Sequence, residues 1–389
     1  MFAAFIYTEC ISAGPFKRES GFKFKSVEEV ELSGETTPVP LLEQRMNMAS
    51  AAFLPYKAPA IDSFMKPEEF VALEKQWSVQ ELSPGAFMFA RLFTSGVSNG
   101  RPDNPFHQGF VYDFSDIADI VTSTGQLSGL AFARPADFAG WADWQNPRGD
   151  AELEAAELEP HNPPLPAFDS SAWSRMAEQI FEFDEDDALQ VLSGFEAEMR
   201  QGGNLGIDAG TVDDFLNWVS FLTHLIPVHA GWTMQFTSTE AAKHFAKIPP
   251  RTSIYRSDSY MTRIDVSEWA LLVKLIIEAG IYSEIEAKIG ELSMALVFDP
   301  NSGRQSLAIL PLACCFLDTN LFDPADLAKI NGLVTSLMSQ LASPSHWRSD
   351  EHAAEFFDQL EAPTSVLRGL ANGDQIYGKL NSLPILPSA

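Results

Sequence analysis

The chain has 389 residues, 46% hydrophobic and 11% aromatic, enough apolar area for packed cores and too much for a wholly disordered protein. Fifty-three acidic against 26 basic residues leave a formal charge of −27. Without clustered Lys and Arg to neutralise phosphates, nucleic acid is excluded as a direct partner and an anionic membrane surface is disfavoured, whereas a basic protein surface stays open.

In chain order, residues 1–145 read as a β-rich domain. Phe2–Tyr7, Phe22–Phe24, Phe87–Phe93 and Phe110–Phe114 are short runs rich in aromatic or β-branched residues, bounded by Gly, Pro and Ser, and predict strands. Residues 34–59 hold four prolines and read as irregular connection. Met65-Lys66-Pro67-Glu68-Glu69 reads as a helix start, with Pro in the first turn and acids at the positive end of the dipole.

An acidic run from Asp150 to Glu159 gives way to Pro160, Pro163, Pro164 and Pro166, a linker signal placed at 146–168. From 169 to 389 the pattern turns helical. Asp184 to Asp187 open one helix, Gly202 to Gly206 read as a Gly-rich spacer, and Thr211 caps a helix striped by Val212, Phe215, Leu216, Val219 and Leu222. Gly231–Thr237 reads as a strand, and Ser267 begins a further helix. Met294–Phe298 and Ser306–Leu310 read as two strands around the turn at 299–303. Leu327, Ile330, Val334, Leu337 and Leu341 mark a C-terminal helix, and Phe356, Phe357 and Leu360 begin another. The predicted fold class is α+β: a β-rich N-terminal domain followed by a mainly helical domain with a few strands.

The compartment expected is the cytoplasm. The N-terminus lacks a basic n-region and meets Glu9 early, so it does not read as a signal peptide, and no apolar run reaches the roughly 18 residues of a membrane span. Three cysteines, two of them adjacent in an apolar run (Cys314, Cys315), make no disulfide framework and read as small buried hydrophobes.

Chemistry is sparse. The Gly/Pro/Asn-rich segment from Asn99 to Pro105 reads as a loop that delivers His107 to the mouth of a strand, with Arg101, Asp103 and Asp113 nearby. If the chain is an enzyme, Cys10 and His107 are its candidate nucleophile and base, because an imidazolium stabilises a thiolate. No orienting third group or oxyanion donor can be named beside them, and His107 can equally cap the strand. His224 and His229 flank Pro227, which should interrupt a helix between them, so no metal site is expected there. No histidine lies in a zinc-type spacing, and no phosphate-binding glycine motif follows a strand. No metal and no cofactor is expected.

The first third resembles the N-terminal domain of the GTPase-associated protein 1 family of bacterial conflict systems. Phe5-Ile6-Tyr7-Thr8-Glu9-Cys10 is similar to that family's opening strand, and Ser20-Gly21-Phe22-Lys23-Phe24-Lys25 to its glycine–aromatic second strand. Gly100-Arg101-Pro102-Asp103-Asn104-Pro105-Phe106-His107 looks like its Gly-Arg-Pro-Gly-Asn motif ending in His, with Asp103 at the usual glycine and Pro105 at an aromatic position. A looser likeness runs over 205–260, through Leu225-Ile226-Pro227 and Gln235-Phe236-Thr237.

The resemblance implies an accessory or adaptor subunit acting beside a partner GTPase, with Tyr7, Cys10, Gly100, Arg101 and His107 as a structural signature or a partner-facing surface, Asp103 lying in the same loop. The alternatives are a hydrolase or transferase using Cys10 and His107, and a sensor holding a small ligand in an interdomain cleft.

Overall fold

The computed structural model describes residues 3–10, 21–26, 30–32, 35–37, 74–83, 85–94, 105–113, 133–141, 144, 159–161, 176–181, 184–238, 252–257, 263–295, 303–315, 317 and 323–341. The helix start at Met65, the C-terminal stripe at Phe356 and most of the 146–168 segment lie outside these residues, as do Gly100, Arg101 and Asp103.

The fold is mixed α+β. Strands β1 (Ala3–Cys10), β2 (Gly21–Ser26), β3 (Val30–Leu32), β4 (Glu35–Thr37), β5 (Gln76–Ser83), β6 (Ala86–Thr94) and β7 (Pro105–Asp113) come first. Then follow α1 (Glu185–Gln201), β8 (Asn204–Asp208), α2 (Val212–His224), α3 (Val228–Thr233), β9 (Gln235–Thr237) and β10 (Ser253–Ser257). Helices α4 (Glu268–Glu278), α5 (Tyr282–Ala295), α6 (Gly303–Cys315) and α7 (Pro324–Leu341) are the last described elements, and a 3₁₀ helix spans Pro135–Gly140.

Eight strands form one sheet in the order β2-β1-β7-β6-β5-β9-β10-β8, and β3 and β4 pair separately. The pairs from β2 to β9 are antiparallel; β9-β10 and β10-β8 are parallel. β8 and β9 flank β10, and parallel strands need long connections of the kind α2 and α3 provide between β8 and β9. The junction lies between β5 and β9. There Trp77 N donates to Ser238 Oγ at 2.8 Å and Ser238 N donates to Trp77 O at 2.9 Å, closing the pair at its end. Strands from either side of residues 146–168 thus share one sheet.

Aromatic rings fill one face of that sheet. Phe87, Phe89, Phe110, Tyr112, Trp77 and Phe236 are buried there against Phe138 and Trp232. Phe89 ring contacts reach Trp77, Phe110, Trp144 and Phe236. Rings of this size bring the largest apolar area per residue, so burial of this face is a principal source of stability. The strands approach closely at Gly109, where an added Cβ would fall 1.9 Å from Phe89 O.

The helices begin where side chains can take up their free N–H groups. Asp184 accepts from Asp187 N at 3.1 Å, and Ser267 accepts from Ala270 N at 3.1 Å. Thr211 and Asp214 form a reciprocal capping box. Helix α1 ends on Gly202 in the left-handed region at φ 74°. The Gly-rich stretch read as a spacer is therefore this helix cap plus the start of β8.

Two predicted strand regions are helical. Of the pair expected at Met294–Phe298 and Ser306–Leu310, Met294 and Ala295 end α5 and Ser306–Leu310 lie in the body of α6, while residues 296–298 lie outside the described residues. Residues 306–315 are buried throughout, so α6 has no polar face to give it a helical period, and Pro311 masks it further. Of Gly231–Thr237, only Gln235–Thr237 is strand; Pro227, whose fixed φ suits a helix start, precedes α3. Cys314 and Cys315 are buried free thiols, as expected of the apolar run that holds them, and burial pushes Cys315 up to about 12. Among the described residues no helix is long and apolar enough to cross a membrane.

Candidate functional site

Two of the signature positions, Tyr7 and His107, meet inside the sheet. Tyr7 and His107 are register partners across β1 and β7, and Leu92 of β6 faces His107 from the other side. Their rings stack edge to face at 5.7 Å, and His107 is 1% exposed. It lies within β7 rather than on a loop at the strand's mouth. Burial pulls its pKa down to about 4, so the ring is neutral at physiological pH. Cys10 ends β1 opposite Gly21, three residues along the strand from the position that faces His107.

On the other side of the same strands, Arg91 is buried under aromatic rings. Its guanidinium carbon lies 4.8 Å from the Phe93 centroid and 5.0 Å from that of Trp144, and its Nη2 donates to Gln108 Oε1 at 3.0 Å. Burial lowers its pKa to about 9, which still leaves it a cation at neutrality. Ring faces and an amide oxygen both favour a guanidinium held in this way.

A second cluster, unremarked in the sequence, joins four parts of the chain. Helix α2 contributes Ser220, Thr223 and His224; the 3₁₀ helix contributes Asp137, with Arg134 just before it. Helix α5 contributes Tyr282 and Glu286, and α3 contributes Gly231.

His224 Nε2 lies 3.0 Å from Asp137 Oδ2, and its Nδ1 forms an ion pair with Glu286 Oε1. Asp137 also accepts from Ser220 Oγ at 2.6 Å and from Arg134 N at 2.7 Å. Arg134 Nε donates to Thr223 O at 3.0 Å and its Nη1 donates to Ala133 O at 3.0 Å. The flat guanidinium stem passes so close to α3 that a Cβ on Gly231 would lie 2.5 Å from Arg134 Nε and 2.9 Å from Thr223 O.

Electrostatics fix the protonation pattern. Burial pulls His224 down, but the charges of Glu286 and Asp137 outweigh it against Arg134, and its pKa stands above the usual histidine value. The ring is then an imidazolium, with a carboxylate at each nitrogen. Arg134 is lowered by burial to about 10, partly offset by Asp137 and Glu286, and stays charged. Two cations and two anions leave the buried quartet neutral, which a low-dielectric interior requires.

With a carboxylate at each ring nitrogen, His224 has no lone pair to offer an incoming substrate as base. The arrangement positions elements rather than performing proton transfer on a ligand. Sequence did carry a trace of it: Tyr282, Glu286, Ile289 and Ser293 occupy one helical stripe and all are buried, so a carboxylate stands in an apolar register. Among the described residues no group of three or more His, Cys, Asp and Glu converges to hold a metal ion.

Comparison with protein-family models, with curated proteins and with solved structures finds no match.

Proposed function

We propose that this chain is a cytoplasmic, non-catalytic accessory subunit of a bacterial conflict system that works by binding a partner protein, a GTPase being the class the family resemblance implies. The observation that carries the reading is the burial of His107. The histidine of the signature is a neutral ring packed on Tyr7 within the sheet, which suits an architectural part better than a solvent-facing base.

Electrostatics describe the partner's surface. Asp184, Glu185, Asp186 and Asp187 are exposed at the start of α1, as are Asp213 and Asp214 at the start of α2 and Asp265 and Glu268 before and within α4. On a chain of charge −27, these faces favour a basic docking surface and repel a second copy.

Affinity capture of the tagged full-length protein from its native host, read by mass spectrometry, tests the reading. Recovery of a GTPase, or of one or two stoichiometric companions, is expected. A protein that elutes alone and retains nothing above background overturns it.

A further inference from the structure

We propose that His224 is a proton-controlled latch: as an imidazolium between Asp137 and Glu286 it fastens α5 to α2 and the 3₁₀ helix, and its deprotonation frees α5. The inference stands apart from the adaptor reading and rests on the geometry of the buried quartet.

The charged and titratable groups of the cluster come from two elements besides α2. Asp137 and Arg134 come from the 3₁₀ helix and its N-cap, and Glu286 and Tyr282 from α5. His229, near the start of α3, feels the charge of Arg134, which after burial holds its pKa below the usual histidine value. Tyr282 is pushed well above its usual range by burial and then by Glu286, so it stays a neutral phenol. His224 is therefore the member whose proton can leave first.

The two carboxylates are held unequally. Asp137 keeps Ser220 Oγ and Arg134 N when the proton is gone. Glu286 has no aligned hydrogen bond from either oxygen among the described residues, and Tyr282 Oη likewise has none, so the ion pair to His224 is the contact that fixes it. A neutral ring can donate from only one nitrogen. Its other lone pair would then face a carboxylate, and the quartet would carry one uncompensated negative charge. The weaker-held partner, Glu286 with α5, is the one that yields.

The sign follows from linkage. A histidine raised by its partners contributes fully below its unfolded value of about 6.5, and the contribution is lost as pH rises through the folded value. The latch is therefore closed below about pH 6.5 and opens as pH rises through the folded value, which lies above that.

Amide hydrogen exchange of the full-length protein, corrected for intrinsic rates and followed from about pH 6 to 9, reads this directly. Protection of residues 282–293 should fall by about tenfold or more across that range, while α1, residues 185–201, stays within about threefold. Parallel behaviour of the two helices overturns the proposal. In Glu286→Gln, which keeps shape and removes the charge, α5 should be loose already at pH 6 and its protection no longer pH-dependent. Should that variant not fold, the wild-type profile decides alone.

Discussion

Two buried histidines lie in opposite electrostatic surroundings. His107 has ring neighbours and loses its proton to desolvation, whereas His224 has two carboxylates and keeps it. The stability that His107 contributes is complete above about pH 6.5 and is lost as pH falls toward about 4, because the unfolded chain takes up a proton the folded ring refuses. His107→Phe supplies a ring with no proton to gain. The fall in urea unfolding free energy from about pH 7.5 to 5 should be about 2 kcal/mol smaller in that variant than in the wild type. Two glycines are equally demanding. Gly231→Ala should cost about 1–3 kcal/mol, read by denaturant unfolding, because Arg134 and a backbone carbonyl occupy the space a methyl would need. At Gly109 the obstacle is backbone alone, so the same substitution should cost more. At this scale the sequence named Tyr7 and His107 among several signature positions and offered Cys10 as the partner of His107; the register sets Tyr7, not Cys10, across from His107. Apart from the apolar register that holds Glu286, the quartet of Arg134, Asp137, His224 and Glu286 was opaque: its members come from positions up to 152 residues apart, and no local pattern announces a group assembled by tertiary packing.

Elements with polar punctuation were the readable ones. Asp184, Thr211 and Ser267 were visible as caps because a short oxygen-bearing side chain before an amphipathic stripe satisfies free N–H groups. Thr211→Ala should destabilise the protein by about 1 kcal/mol, since Asp214 then loses its reciprocal partner; a shift in the urea midpoint at unchanged slope is the check. Helix α6 was misread for the converse reason. Buried on all sides and holding Pro311, it has neither a polar face nor an uninterrupted pattern, and short apolar runs of that kind do not separate helix from strand. The strands β5, β8 and β10 were passed over as well. Gln76, Ser78 and Gln80 alternate through β5 but are buried, so polarity there marks the sheet's second covered face and not solvent.

For the whole molecule, α+β was the right architecture. What could not be read was the joining of early and late strands into one sheet, because strand pairing carries no sequence signal across a separation of 161 residues. Since β5 pairs with β9 and the core runs from Trp77 to Leu337, thermal unfolding of the full chain should be a single transition, with far- and near-ultraviolet dichroism changing together. Two separated transitions would show that the shared sheet does not couple the parts. Association with a partner should slow several-fold as salt rises from about 50 to 300 mM if the exposed acids of α1 and α2 steer docking; an unchanged rate removes them from the interface.

The pairing of β5 with β9 also orders events during synthesis. At about 5–20 residues per second, the ribosome needs on the order of ten seconds to go from Trp77 to Ser238. Until then β5 has β6 on one side and an unfilled edge on the other, lined by Trp77 and Val79. Open edges of that kind recruit foreign strands. Nascent chains are therefore most exposed to mispairing midway through translation, and a chaperone that covers the edge of β5 would raise the yield of folded protein without altering its final stability.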